Sequence, residues 1–232
     1  MPFYYYFDPT YFLVLIGVVL SLLASAKVKS TFARYSRERS RTGMTGEETA
    51  QRILSKAGIY DVRIQRVSGN LTDHYDPRNK TLNLSDSVYG STSVAAIGVA
   101  AHECGHAIQH NRGYVPLKLR SAIAPAASFG ATISWPLIVI GLLFGGSGLL
   151  VQIGILLFSL AVLFQLVTLP VEFNASGRAV ELLSETGILY EEEVKKTKKV
   201  LSAAALTYVA SAAASILQLL RLVLLFGNRR RD

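Results

Sequence analysis

The chain has 232 residues, half of them hydrophobic, with a formal net charge of +8 and a mean hydropathy of +0.34. Its apolar residues are bunched into long runs, which excludes an ordinary soluble core, and its single cysteine excludes an intramolecular disulfide. The positive charge flanks those runs, so it reads as topology control and attraction to anionic headgroups rather than as a nucleic-acid surface.

Tyr11 to Ala26 carries no charge. With Tyr4-Tyr5-Tyr6-Phe7 as an aromatic interface anchor, it approaches the roughly 20 helical residues that a bilayer core requires. Ala24-Ser25-Ala26 looks like a signal-peptide cleavage site, but the basic residues Lys27, Lys29, Arg34, Arg37, Arg39 and Arg41 trail the run instead of preceding it. That order predicts an uncleaved anchor with its N-terminus outside. Fifteen of the 24 Lys and Arg lie between Lys27 and Arg120 and five more between Pro170 and Val200, so both regions are expected on the cytoplasmic side.

The first polar region predicts a helix starting near Thr45-Gly46-Glu47-Glu48, with Ala50, Ile53, Leu54 and Ala57 as its apolar stripe and Gly58 as its stop. Val62 to Val67 alternates and reads as a strand, Asp76-Pro77-Arg78-Asn79 as a turn, and Thr81 to Leu84 as a second strand. His74 falls in the loop between them. Gly90-Ser91-Thr92-Ser93 then offers N-cap hydroxyls to an apolar, Ala-rich helix that runs into His102-Glu103-Cys104-Gly105-His106. Residues four apart share a helix face, so His102 and His106 can hold one metal ion, and Glu103 can reach a water on it. This is the H-E-x-x-H arrangement of zinc metalloproteases. Cys104 points to another face and reads as packing.

Ala122 to Phe144 and Leu149 to Leu169 are uncharged and of spanning length, and Gly145-Gly146-Ser147-Gly148 reads as the turn between them. Leu201 to Phe226 is a fourth span, interrupted by Gln218 and Arg221. The cluster Arg229-Arg230-Arg231 fits poorly outside the membrane, so the last helix either crosses despite it or re-enters. The expected organisation is an anchor over 1–26, a catalytic region over 27–120, a transmembrane hairpin over 121–169, a polar segment over 170–200 and a final helix with its tail over 201–232.

A catalytic zinc takes three protein ligands and keeps one position open. His110 shares the face of His106 but lies a turn beyond it. His74 stays open as a ligand, a substrate contact or a stabiliser of the oxyanion. Glu172 is the strongest candidate, because the hairpin returns the chain to the side it left and collapses the gap to His102. Pro170 suits the start of a helix carrying it.

The stretches Asp73-His74-Tyr75-Asp76-Pro77, Leu82-Asn83-Leu84-Ser85, Ala101-His102-Glu103-Cys104-Gly105-His106-Ala107-Ile108-Gln109 and Leu169-Pro170-Val171-Glu172-Phe173-Asn174-Ala175-Ser176 carry a likeness. Over essentially its whole length the sequence resembles the YugP-like bacterial membrane zinc metallopeptidases, and more distantly the gluzincin-type membrane proteases. In the latter, a glutamate ligand is often followed four residues later by an aspartate. Here that place holds Ser176, so the support for a ligand is expected from elsewhere, with Asn174 a candidate.

The expectation is therefore a mainly α membrane protein with about four transmembrane helices and a cytoplasmic α+β, zincin-like catalytic region. Zn²⁺ would be held by His102, His106 and Glu172, with Glu103 as general base and His74 as a further catalytic residue. The implied activity is hydrolysis of peptide bonds of membrane proteins or peptides at the cytoplasmic surface of a bacterial plasma membrane. The expected partners are the bilayer and a protein or peptide substrate, with a homo-oligomer left open. The alternative is a non-catalytic scaffold with a structural zinc, which four protein ligands would favour. An intramembrane protease with its aspartate ligand inside a span fits less well, since none of the three clearest spans contains an Asp.

Overall fold

The structure, a computed structural model, describes residues 8–144 and 148–227. The aromatic anchor at Tyr4–Phe7, the turn at 145–147 and the cluster at 229–231 lie outside the described residues. The elements run α1 (Tyr11–Tyr35), α2 (Gly46–Lys56), β1 (Arg63–Val67), β2 (His74–Asp76), β3 (Thr81–Ser85), α3 (Val94–Asn111), α4 (Val115–Leu143), α5 (Gly148–Glu185) and α6 (Glu191–Phe226). Among the described residues, α1, α4, α5 and α6 are long and apolar enough to cross a membrane.

The chain divides into two units. The first takes, of the described residues, 8–23, 120–144, 148–167 and 208–227. Its helices turn Leu15, Leu22, Phe129, Leu156 and Leu163 outward, which is stable only where the surroundings are themselves apolar. Inside it, small residues let backbones approach. A Cβ on Gly130 would stand 2.6 Å from the Leu157 carbonyl oxygen, and one on Gly17 would stand 3.1 Å from Ala214. Such contacts replace the hydrophobic driving force that lipid removes. Pro125 and Pro136 lie within α4 without ending it. Arg221, the charge in the fourth apolar run, stacks 4.2 Å from the Tyr11 ring and reaches Asp8 at 3.3 Å.

The second unit takes residues 24–119 and 168–207. Its sheet has the order β1-β3-β2, with β3 parallel to β1 and antiparallel to β2. All five residues of β3 are buried, because Leu82 and Leu84 pack into a core with Ile53 of α2, Ile97 and Ala101 of α3 and Leu183 of α5. Thr45 caps α2 in a full capping box with Glu48, satisfying two backbone donors reciprocally. At the β2–β3 turn, Asp76 accepts from the Arg78 N–H and the Asn79 amide, each at 2.8 Å. Lys80 completes the turn at a φ of 50°.

Three expectations need correction. His74 is not in a loop: it opens β2, paired with Asn83 of β3. A three-residue strand shows too little alternation to be read without its partner. Pro170 does not start a helix but lies inside the continuous α5; one proline removes a single backbone hydrogen bond, which a long, packed helix tolerates. The fourth helix begins at Glu191, ten residues before the apolar run. Glu191, Glu192 and Glu193 fill its first turn, where carboxylates complement the helix dipole.

Candidate metal centre

Ser93 caps α3 by accepting from the Ala96 N–H at 3.2 Å, and the helix continues unbroken through both histidines. The His102 and His106 rings stand edge to face with centroids 4.7 Å apart. Their Nε2 atoms converge on one carboxylate oxygen of Glu172, at 3.3 Å from His102 and 3.5 Å from His106. The three donor atoms all lie within 4.8 Å of one another. Glu172 is only 2 % exposed.

Gly105 makes this convergence sterically allowed. It lies between the two histidines where α3 meets α5, and a Cβ there would stand 2.7 Å from the Ala175 carbonyl oxygen. Any larger residue would push away the helix turn that carries Glu172 and Ser176. Cys104, as expected, packs away from the site. It is fully buried, its Sγ lies 3.7 Å from the Ala50 carbonyl oxygen, and burial pushes the thiol pKa well up.

A second layer of hydrogen bonds holds the imidazoles. His102 Nδ1 is 3.1 Å from Ser176 Oγ, and His106 Nδ1 is 3.1 Å from Gln109 Oε1. Gln109 is fully buried. Its amide nitrogen donates to the Val171 carbonyl at 2.8 Å and to Asn174 Oδ1 at 3.0 Å. Asn174 Oδ1 also accepts from Arg178 Nε at 2.8 Å. Two acceptors on its nitrogen side fix the amide orientation, so Gln109 presents oxygen to His106. Nδ1 must then carry a proton, so that Nε2 is the nitrogen that faces Glu172 and, in the neutral ring, the one whose lone pair a metal can take.

The electrostatics suit a cation. At Glu172, which lies outside the apolar part of α5, burial alone raises the carboxyl pKa. Hydrogen bonds from His102 and His106 outweigh it and hold the group well below the usual carboxylate range. At His106, burial alone lowers the pKa, but the Glu172 hydrogen bond and the Glu103 charge turn the net shift upward. Glu103 is 7 % exposed. Two imidazole nitrogens and one anionic oxygen, converging at a buried point with their far sides hydrogen-bonded, form a donor set that fits zinc.

His74 and His110 do not join this group. His74 is exposed on β2, with Nδ1 2.9 Å from the Thr72 carbonyl oxygen and Nε2 3.2 Å from the Asn83 amide nitrogen. His110 Nδ1 bonds the Tyr75 hydroxyl at 2.8 Å. Tyr75 is pushed up to about 12 by burial and by the charges of Asp61 and Asp76, so its hydroxyl keeps its proton at neutral pH. Ser176 was read as a departure that leaves a ligand unsupported, yet it supplies that support itself. Gln109 was given no role from sequence. Its i+3 spacing from His106 was the available signal.

Comparison with known proteins agrees with this geometry. Residues 10–227 match the model of a family described as "Putative neutral zinc metallopeptidase". The chain is 49% identical over 221 residues to a Bacillus subtilis (strain 168) protein described as "Putative membrane protease YugP", an alignment covering 95% of this chain and 98% of that one. No solved structure matches it.

Proposed function

This chain belongs to the "Putative neutral zinc metallopeptidase" family, and from that premise we propose that it is a zinc-dependent endopeptidase of membrane proteins or peptides, acting at the cytoplasmic membrane surface. The observation that carries this reading is the convergence of His102, His106 and Glu172, with Glu103 next to the first histidine on the same helix. The group has three members among the described residues, which favours a catalytic site with an open position over a closed structural one.

His102, His106 and Glu172 would hold the zinc, which when bound would supply Lewis-acid activation of water and of the scissile carbonyl. Glu103 takes a proton from the attacking water at its carboxylate and returns it to the leaving amine nitrogen as the C–N bond breaks. The new carboxyl group then gives up its remaining proton to the amine, so that water and amide become carboxylate and ammonium. Gln109 keeps His106 in the tautomer that binds metal, and the Ser176 hydroxyl can accept from His102 Nδ1–H in the same tautomer. β2 is an edge strand in the order β1-β3-β2, and a substrate peptide can lie along such an edge by backbone hydrogen bonds. His74 on that strand is the proposed substrate or oxyanion contact.

The membrane-surface reading rests on chain spacing and charge. Glu172 follows the third apolar run by three residues, His106 precedes the second by about fifteen, and the basic residues gather in the same polar regions. The test compares zinc-loaded and chelated protein in vesicles, acting on one peptide supplied free and fused to a membrane anchor. Zinc-dependent cleavage with preference for the anchored form is expected. Equal cleavage of both forms would refute the membrane preference, and cleavage unaffected by chelation would refute the zinc enzyme.

A further inference from the structure

Away from the metal centre, the second unit has a groove of about 1010 Å³ between the C-terminal part of α1 and the N-terminal part of α6. Its α1 wall presents Lys27, Thr31 and Arg34 at i, i+4 and i+7, one face of a helix. Its α6 wall presents Lys195, Lys199, Ser202 and Leu206 at i, i+4, i+7 and i+11, again one face. Lys196 and Lys198 complete the lining, which holds six cations against the single carboxylate of Glu192.

Two of those cations are already paired. Lys195 bonds Glu191 and Glu192, and Lys196 bonds Glu38. Among the described residues, Lys27, Arg34, Lys198 and Lys199 are left without a carboxylate partner around one concavity, Arg34 lying 5.6 Å over the Tyr35 ring, with Ser30, Thr31 and Ser202 supplying hydroxyls beside them. The walls are held from behind. Tyr35, Ala95 and Val200 form a buried cluster, and Thr197 Oγ1 donates to the Val94 carbonyl at 3.3 Å. Such a site attracts a phosphate.

The two ends of the groove differ. Lys27 directly follows the uncharged run Tyr11–Ala26, and the α6 wall passes from its lysines to Ala203 and Leu206, where that helix turns apolar. A cationic cradle grading into an apolar wall matches an amphiphile with an anionic head. We propose that this groove is a binding site for one anionic phospholipid, its phosphate held by Lys27, Arg34, Lys198 and Lys199 and its acyl chains lying toward Ala203 and Leu206.

The test titrates the full chain in detergent micelles with phosphatidylglycerol, phosphatidylcholine or inorganic phosphate, counting bound lipid per chain by native mass spectrometry. One phosphatidylglycerol is expected to be retained in preference to phosphatidylcholine. Affinity should fall about fivefold for each cation removed in the Lys27→Gln, Arg34→Gln, Lys198→Gln, Lys199→Gln variant. The double variant Lys198→Gln, Lys199→Gln gives the same reading if the fourfold one does not fold. Neutralising Lys56, Arg63, Arg66 and Arg78, all outside the groove, should change little. Equal retention of the two lipids, an unchanged affinity in the groove variants or an equal loss in the control would overturn the site. Displacement of the lipid by inorganic phosphate at matched concentration would assign the groove to a free anion and overturn the lipid reading.

Discussion

His102 and His106 sit one turn apart on the same helix and point the same nitrogen at the same carboxylate, yet they are held by different means. His102 leans on one hydroxyl, Ser176, carried by the helix turn that also carries Glu172. His106 leans on Gln109, a buried amide tied to the Val171 backbone and, through Asn174, to Arg178. A serine hydroxyl turns freely and can be replaced by water, whereas a buried amide with fixed acceptors cannot. The two halves of the site are therefore unequally rigid, and tautomer control is stronger at His106.

The sharpest way to break that comparison is to remove what both halves share. Gly105→Val should abolish zinc binding, since its side chain would strike the Ala175 backbone and separate both imidazoles from Glu172; a competitive chelator titration beside a folding check reads this. Glu172→Gln comes next, leaving two imidazoles with a neutral amide, and zinc affinity should fall by more than in either support variant. Gln109→Ala should then weaken zinc by about 10- to 100-fold, the usual range for lost support of a ligand, and Gln109→Glu should recover part of it. Ser176→Ala should cost least, about tenfold or below, because water can take the hydroxyl's place. A larger loss from Ser176→Ala than from Gln109→Ala would reverse the assignment of the rigid half.

The legibility of the site follows the same division. The pair on α3 was readable because four-residue spacing on a helix fixes two side chains locally. Glu172 was readable because two apolar runs in succession return the chain to its starting side. Ser176 was misjudged: an expected aspartate directed attention to what was missing, while a serine one turn after Glu172 on α5 reaches the same imidazole. Gln109 lay three residues from His106, but its anchors are 62 and 65 residues away in sequence, and no local pattern reports such a contact. The fold divides likewise. The capping box of α2 and the runs of β1 and β3 are local signals, whereas β2 exists only by pairing with β3. The apolar runs located four helices but not their ends, since α1 continues to Tyr35 and α6 starts at Glu191. Hydropathy marks where a helix meets lipid, and capping marks where it stops.

The claim on which the rest depends is that α3 and α5 together build a hydrolytic zinc site with Glu103 moving the proton. The most direct test is the Glu103→Gln variant in its native membrane context, measured for zinc per chain and for peptide hydrolysis side by side. One zinc per chain with hydrolysis reduced by about 100-fold or more is the predicted result. A zinc-replete Glu103→Gln protein that hydrolyses peptide at the wild-type rate would contradict it.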